Sequence, residues 1–310
     1  MILKNVTSDL ANKRLDKVAS ILFQTYSRTQ IKKWILEGRV LVNGEISNPK
    51  DHVHENDEIE INPIEQNKIS WVSQKIDFEV HHESENFIII NKSPGLVMHP
   101  GSGCNEGTLA NGLLYKYPKL ANLPRCGIVH RLDKDTSGVL LVAKNEKFRN
   151  YFIKLMQERN ITKEYIAVVA GSTLGSFSIN YPIGRDRFNR TKMALRPDGK
   201  DAITDVKLNQ SIGNYSLLDI SIKTGRTHQI RVHLSSKKLP IIGDRTYDPA
   251  KTVTKGTTSD LIEIIRAFPR QALHAKLLSF VCPDTQKQLS FEISIPDDIE
   301  NLISNLKKHS

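Results

Sequence analysis

The sequence has few of the residue patterns that hold metals or disulfides. Its 310 residues include three cysteines, Cys104, Cys126 and Cys282, which lie far apart and form no C-x-x-C pair. A disulfide framework or a structural zinc site needs several cysteines at short, regular spacings. The histidines do not replace them, because His228 and His233 are five positions apart and miss the i, i+4 spacing of helical metal ligands. We therefore expect reduced thiols and no metal.

Long apolar segments are missing as well. No run of residues reaches the length of a membrane-spanning helix, and residues 1–4 do not lead into the apolar core of a signal peptide. Basic residues are in excess, with 44 Lys and Arg against 34 Asp and Glu and a formal net charge of +10. Such a charge favours an acidic partner, nucleic acid first, although a basic surface on a soluble enzyme gives the same count. We expect a soluble, cytoplasmic protein with no membrane partner.

The N-terminal region is predicted to combine two helices with a small sheet. Apolar residues recur at helical spacing from Leu15 to Leu22, a second helix is predicted from residue 28 to about residue 36, and Asn43-Gly44 is a hairpin signal. The second helix and the chain just after it carry four cations: Arg28, Lys32, Lys33 and Arg39. Exposed cations gain affinity for phosphates by releasing condensed counterions. These four either face RNA or simply keep the helix soluble.

Residues 27–44 carry a recognisable pattern, S-R-x-x-I-K-K-x-I-x-x-G-x-V-x-V-N-G. It is similar to an S4-type RNA-binding domain, and the resemblance implies a small α/β domain that docks on RNA through the four cations. The chain from about residue 63 to residue 75 is polar and without periodicity, which predicts a linker. We therefore predict two domains, residues 1–75 with that linker included and residues 76–310.

The second region is dominated by strand patterns. Short alternating segments outnumber helical ones, and hairpin-like spacings are frequent. This predicts an α+β fold with a mixed, mostly antiparallel central sheet and flanking helices. A basic, glycine-punctuated segment, residues 184–193, holds one aromatic residue, Phe188, among its cations. We interpret it as an RNA-facing hairpin or, alternatively, as a flexible surface loop.

One polar stretch, residues 127–138, carries two carboxylates and two cations and runs into an apolar segment, residues 139–143. This predicts a loop that delivers side chains to a cleft beside a buried strand. Within it, residues 130–138 read H-R-L-D-K-D-T-S-G, which resembles the signature of the RluA-type pseudouridine synthases. These enzymes isomerise uridine to pseudouridine in structured RNA. The resemblance extends over nearly the whole chain and includes K-E-Y at 163–165 and T-G-R-T-H-Q-I-R-V-H at 224–233.

The resemblance implies a role for each site residue. Asp133 is the nucleophile, Arg231 keeps its carboxylate charged and oriented, and Tyr165 stacks on the target base and serves in proton transfer from C5. Arg131 is inserted where the target uridine leaves its stack, with His130 assisting. We also expect Thr227 to cap a short helix whose first turn points Gln229 and Arg231 toward the cleft. One departure from the family pattern is the proline of Asn91-Lys92-Ser93-Pro94-Gly95, displaced by one residue.

The resemblance also implies a substrate. It points to 23S ribosomal RNA of the large subunit, at the helix 69 stem-loop, presented as free RNA or in a pre-ribosomal particle, and to a monomeric enzyme. The isomerisation oxidises nothing and adds nothing, so a carboxylate suffices and we expect no cofactor.

Two alternatives use the same residues. Asp133 and Asp135 form a D-x-D pair, a spacing that holds Mg²⁺ against phosphates in nucleases and phosphotransferases. Lys134 lies between them and no further carboxylate is near in sequence, so such a metal would be under-ligated. The other alternative is a non-catalytic RNA-binding protein that acts in ribosome assembly, for which Asp133 would be dispensable.

Overall fold

A computed structural model describes residues 1–24, 26, 28–63, 71–101, 103–189, 191–250 and 253–309. Ser27 of the S4-like pattern, Arg190 of the basic segment and residues 64–70 of the predicted linker lie outside the described residues. The chain forms two compact units, Met1–Lys68 and Ile69–Ser310. Each has its own core.

The first unit pairs two helices with a four-stranded sheet. Its elements are β1 (Ile2–Asn5), β2 (Lys13–Arg14), α1 (Leu15–Leu22), α2 (Arg28–Leu36), β3 (Val40–Val42), β4 (Glu45–Ile46), β5 (His52–Val53) and β6 (Glu58–Ile61). The sheet is antiparallel with the order β1-β6-β3-β4, and β2 pairs with β5 separately. Alternation in β6 buries Ile59 and Ile61 against Leu15, Val18 and Ile31 of the helices, so the apolar periodicity seen in the sequence builds the core.

The second unit contains the remaining elements. Its strands are β7 (Glu79–Glu83), β8 (Phe87–Lys92), β9 (Ser137–Ala143), β10 (Thr162–Ala170), β11 (Ser176–Asn180), β12 (Ile183–Arg185), β13 (Met193–Leu195), β14 (Ile203–Ile212), β15 (Tyr215–Ile222), β16 (Leu273–Val281) and β17 (Gln288–Glu292). Its helices are α3 (Leu109–Lys116), α4 (Glu146–Gln157), α5 (Gln229–Ser236), α6 (Ser259–Ala267) and α7 (Asp297–Lys308).

A nine-stranded sheet forms the centre of this unit. Its order is β11-β14-β15-β10-β16-β9-β8-β7, with β17 added beside β16. Of its pairings, β9 with β16 is parallel and the others are antiparallel. The predicted α+β fold with a mixed, mostly antiparallel sheet is therefore confirmed. All seven residues of β9 are buried. The loop that precedes β9 is therefore anchored at its C-terminal end in the core of the sheet.

The chain after residue 70 belongs to the second unit and not to a linker that reaches residue 75. Trp71 stacks on His99 with ring centroids 6.1 Å apart. The Gln74 side chain donates to Glu106 at 2.8 Å and accepts from the backbone N–H of Gly107 at 2.7 Å. These polar contacts explain why a segment without apolar periodicity is nevertheless ordered against the sheet domain.

Candidate active site

Glycines fix both ends of the stretch that we call the signature loop, residues 127–138. Gly127 has φ 75° and Gly138 has φ 112°, values that a residue with a side chain rarely adopts. A Cβ at Gly127 would lie 2.0 Å from the carbonyl oxygen of Ala143, and one at Gly138 would lie 2.1 Å from that of Ala275. A side chain at either position would clash with the backbone of the sheet. The two glycines therefore allow both ends of the loop to pass close to β9 and β16.

A buried lysine holds the middle of the signature loop. Lys92, at the end of β8, is fully buried, and its Nζ donates to three backbone carbonyl oxygens, those of Ser93 (2.8 Å), Lys134 (2.8 Å) and Thr136 (3.0 Å). Burial lowers the pKa of Lys92 to about 8, against the opposing charges of Asp135 and Asp133. The three acceptors replace the water that a buried ammonium loses, and they set the direction of the turn that carries Asp133.

A second set of donors reaches the loop from the segment before β16. Arg270 Nη1 donates to the backbone oxygen of Asp135 at 3.1 Å, and Gln271 Nε2 donates to Thr136 Oγ1 at 3.2 Å. Arg270 is itself fixed by a bidentate pair with Asp298, at 2.7 and 2.8 Å. Asp133 therefore stands on a loop that is bonded from two sides.

The Asp133 carboxylate meets an arginine that is nearly 100 residues away in sequence. Arg231 Nη1 donates to Asp133 Oδ2 at 3.0 Å, while Nε and Nη2 donate to Oδ2 and Oδ1 of Asp244 at 2.7 and 2.9 Å. Asp244 is 1% exposed and also accepts the backbone N–H groups of Thr246 and Tyr247. The two-point contact leaves the guanidinium one orientation, so Asp244 aims Arg231 at Asp133.

The environment keeps Arg231 charged. Burial disfavours the cation, but the hydrogen bonds and charges of Asp244 and Asp133 outweigh burial and raise the pKa of Arg231. The guanidinium also lies over the Tyr247 ring, 5.2 Å from its centroid, where the negative face of the ring favours a cation. Arg231 therefore presents a fixed, charged N–H donor to the Asp133 carboxylate.

Tyr165 lies in the same cavity as Asp133. It belongs to β10, where it pairs with Ile220 of β15 and Ala275 of β16, so its backbone is held in the middle of the sheet. Its side chain is 8% exposed. Burial and the negative charge of Asp133 raise the pKa of Tyr165, which keeps the phenol protonated and able to donate.

The cavity that contains these groups has a volume of about 660 Å³. Among the described residues that line it, Asp133 is the one carboxylate. Six cations besides Arg231 contribute to the lining: Arg125, Arg131, Arg159, Lys163, Lys223 and Arg226. A single acid in a basic cleft suits a polyanionic ligand, whose phosphates the cations attract.

The two residues that precede Leu132 differ in what they contact. Arg131 is exposed and lines the cavity, as its predicted place beside an extruded base requires. His130 accepts a hydrogen bond at Nε2 from the backbone N–H of Leu141, 2.8 Å away, and its ring lies 6.1 Å from that of Phe152. Burial lowers its pKa to about 3. His130 thus supports the loop, and its part in base extrusion stays a prediction.

The helix that carries Arg231 begins later than expected. The residue before α5 is His228, in the left-handed conformation, and not Thr227. Gln229 is among the residues that line the cavity, but its side-chain amide is engaged within the protein: it accepts from Thr224 and Arg226 and donates to β14 at Ile203 and Thr204. These bonds fold residues 224–229 into a tight loop, and that loop turns Arg231 toward Asp133.

Several residues that build the site were not singled out from the sequence. Asp244, Lys92, His228 and Tyr247 act through contacts with chain segments far away in sequence. A partial signal existed, since Asp244 and Tyr247 stand in an I-G-D-R-T-Y segment in which aspartate follows glycine, but nothing local names Arg231 as the partner. In the part of the chain that is described, no group of three or more His, Cys, Asp or Glu could hold a metal ion.

The cations of the first unit are engaged to different degrees. Arg28 donates to Asp16 Oδ2 at 2.9 Å, and Asp16 is buried and also bonded by Arg14. Lys33 lies 3.5 Å and Arg39 3.8 Å from Glu37. For Lys32 no such pair is present among the described residues. Arg28 therefore has a structural task, whereas Lys33 and Arg39 make only surface ion pairs, which contribute little and leave them accessible to phosphates; contact of these cations with RNA stays a prediction.

No described helix is long and apolar enough to cross a membrane.

Known proteins resemble the chain along nearly its full length. The RNA pseudouridylate synthase family matches residues 86–236, and the S4 domain matches residues 13–59. The chain is 38% identical over 310 residues to ribosomal large subunit pseudouridine synthase D of Vibrio parahaemolyticus, covering 99% of this chain and 95% of that protein. It is 39% identical over 303 residues to the protein of the same name from Escherichia coli K12, covering 97% and 93%. A solved structure, human RNA pseudouridylate synthase domain containing 4, covers 74% of this chain and 93% of its own with a TM-score of 0.58 at 23% identity, and shares the fold.

Proposed function

Because the chain belongs to the RNA pseudouridylate synthase family and is an isomerase, we propose that it converts uridine to pseudouridine in large-subunit ribosomal RNA with Asp133 as the nucleophile. The observation that supports this role is the position of Asp133. It is the one carboxylate in a basic cavity, among the described residues, and a fixed arginine contacts it at 3.0 Å.

The reaction needs a charged carboxylate and little else. The N1–C1′ bond of the uridine breaks, the base turns, and C5 bonds to C1′; the C5 proton is lost and N1 gains a proton. Asp133 acts by attack on the nucleotide or by removal of a proton, and either route starts from the ionised form. Arg231 orients the carboxylate through its hydrogen bond, and the protonated Tyr165 hydroxyl lies within the same cavity for base stacking and proton transfer.

Access to the reacting carbon requires the uridine to leave its stack. Arg131, exposed at the cavity and next to Leu132, suits the place left by the base, since a guanidinium both stacks and binds phosphate. The other cations of the lining hold the flanking phosphates. We take the substrate to be the helix 69 stem-loop of 23S ribosomal RNA, free or within a pre-ribosomal particle, and the enzyme to act as a cytoplasmic monomer.

The chemistry is tested by tritium release from RNA labelled at uridine C5. Asp133→Asn should abolish release, because the neutral amide neither attacks nor accepts a proton. Asp135→Asn is the matched control: it lies two residues away on the same loop but outside the cavity lining, and it should retain most of the activity. Undiminished release from Asp133→Asn would remove the proposed nucleophile.

The same experiment separates the alternatives. A metal-dependent nuclease or phosphotransferase would release no tritium from C5 in any form; it would instead cleave or phosphorylate the RNA, and a chelator or either aspartate variant would abolish that activity. A non-catalytic assembly protein would release no tritium in any form. The RNA target is tested by mapping pseudouridines in a strain that lacks the protein, where the loss of those in helix 69 is expected and their persistence would contradict this substrate.

A further inference from the structure

His228 lines the cavity near Asp133 and has an unusual backbone conformation. Its φ of 55° and ψ of 21° are left-handed, a conformation that is strained for a residue with a side chain. Strain of this kind persists where the surrounding structure enforces it and is common at functional sites. Here the tight loop bonded by Gln229 precedes α5 and directs the imidazole to the cavity.

Two hydrogen bonds determine which ring nitrogen of His228 carries the proton. The backbone N–H of Met193 donates to Tyr247 Oη at 2.9 Å, and the same oxygen lies 2.9 Å from His228 Nδ1. Among the described residues, Nδ1 is the one acceptor within reach of the phenol proton. The arrangement that gives the phenol proton an acceptor has Tyr247 donating to Nδ1, and the neutral imidazole then carries its proton on Nε2.

The remaining nitrogen is available to a ligand. Nε2 of His228 has no hydrogen-bond partner among the described residues, and the ring lines the cavity. Burial, with Arg231 and Arg131 nearby, lowers the pKa of His228 even though Asp133 and Asp244 oppose this, so the ring is neutral. Tyr247 also carries the Arg231 guanidinium on its ring face. One tyrosine thus orients both the arginine that contacts Asp133 and a hydrogen-bond donor in the same cavity.

We propose that Nε2–H of His228 donates a hydrogen bond to a carbonyl oxygen of the extruded uracil and is a further catalytic residue. The inference rests on the proposed function. When the N1–C1′ bond breaks, its electron pair stays on the base and spreads over N1 and the two carbonyl oxygens. A preorganised donor on one of these oxygens gains strength as the charge develops, so it lowers the barrier more than it tightens binding.

Three variants of the full chain test this role. His228→Asn tolerates the left-handed backbone and can keep the contact with Tyr247, but its amide is too short to replace Nε2. His228→Gln places an N–H donor at about the distance of Nε2, and His228→Ala removes both functions. For Asn and Ala we expect kcat to fall on the order of 10²–10³-fold, the usual loss when such a donor is removed, with the Kd for stem-loop RNA unchanged. His228→Gln should recover part of kcat.

The division between kcat and Kd decides the outcome. A rise in Kd with kcat unchanged would mean that His228 binds phosphate or sugar and would overturn the proposal, as would wild-type kinetics in His228→Asn. If His228→Asn is fully active while Asp133→Asn is inactive, this inference fails and the proposed function stands. If Asp133→Asn is itself active, the proposed function fails first.

A spectroscopic measurement tests the tautomer without reference to activity. In protein with ¹⁵N-labelled histidine, the free enzyme should show His228 with the proton on Nε2. Tyr247→Phe removes the phenol donor, so the signal should move toward a mixture of tautomers and kcat should fall with it. A wild-type spectrum with the proton on Nδ1 would overturn the proposal.

Discussion

Arg231 in the cavity and Lys33 on α2 carry the same charge but differ in burial and in how firmly they are held. Arg231 has a side chain that is 7% exposed and is held by two carboxylates, whereas Lys33 is 72% exposed and lies 3.5 Å from Glu37. A buried, fixed cation orients one chemical group and is little affected by salt. An exposed cation acts on any nearby phosphate and is screened. The net charge of the sequence counts buried and exposed cations alike and does not distinguish them.

Removing the carboxylate that fixes Arg231 should have the largest effect on kcat. Asp244→Asn keeps the shape of the side chain but removes the charge that aims Arg231, so Asp133 loses its oriented partner. We expect a kcat at least 100-fold lower, together with a loss of stability of about 3 kcal/mol, typical of a disrupted buried pair. Tritium release and urea unfolding measure the two effects.

A matched variant separates orientation from stability. Asp16→Asn also removes a buried carboxylate from a bidentate pair, with Arg14, but that pair lies in the first unit and outside the cavity lining. It should lower the stability while kcat, measured well below the unfolding transition, falls far less. If the two variants lose kcat equally, Asp244 has no special part in orienting Arg231 and the contrast with α2 weakens.

Replacing Phe188, an exposed aromatic residue of the second unit, should have an effect of intermediate size. Phe188 is 100% exposed in the turn between β12 and β13, where Asp186 Oδ1 accepts the N–H groups of Phe188 and Asn189 at 2.8 Å each. A base that stacks on an aromatic ring contributes about 1–3 kcal/mol, so Phe188→Ala should weaken binding of stem-loop RNA about 10-fold.

The control for this prediction is another exposed apolar residue. Leu174 is 94% exposed in the turn before β11, and Leu174→Ala should leave the Kd unchanged. Phe188→Trp should restore the affinity that Phe188→Ala loses, and neither change should alter the salt dependence. Equal affinities of the Ala variants in fluorescence anisotropy would favour a plain surface loop at residues 184–193.

The smallest effect is expected for the exposed cations of α2. Lys32→Ala with Lys33→Ala should weaken RNA binding several-fold and reduce the slope of log Kd against log salt by about 0.7–0.9 for each phosphate that the protein no longer neutralises. Lys17→Ala, on the exposed side of α1, is the control. Arg28 is left intact, because its removal would deprive buried Asp16 of a partner. An unchanged slope would mean that α2 does not meet the phosphates.

Sequence patterns correctly predicted the fold class and named the residues that the proposed function uses. The strand alternation of β6 and the apolar run of β9 reflect burial, a local property that amino-acid type reports directly. The signature loop, K-E-Y and H-Q-I-R are contiguous motifs, so the sequence points to Asp133, Tyr165 and Arg231; the fold brings all three to one cavity, and their catalytic roles stay predictions. The prediction that Thr227 caps α5 was wrong. The hydrogen bonds of Gln229 to β14 fix where the helix begins and outweigh the preference of threonine for the cap position.

Composition, periodicity and contiguous motifs thus predicted the mixed, mostly antiparallel sheet, which the structure has, and proposed Asp133 as the reacting acid, which stays a prediction. Tertiary structure alone decided which charges share a site. The contacts of Arg231 with Asp133 and Asp244, of Lys92 with the signature loop, and of Arg28 with Asp16 join segments that are distant along the chain. The physical reason is that the strength of a charge depends on its burial and its partners, and folding, not sequence spacing, brings these together.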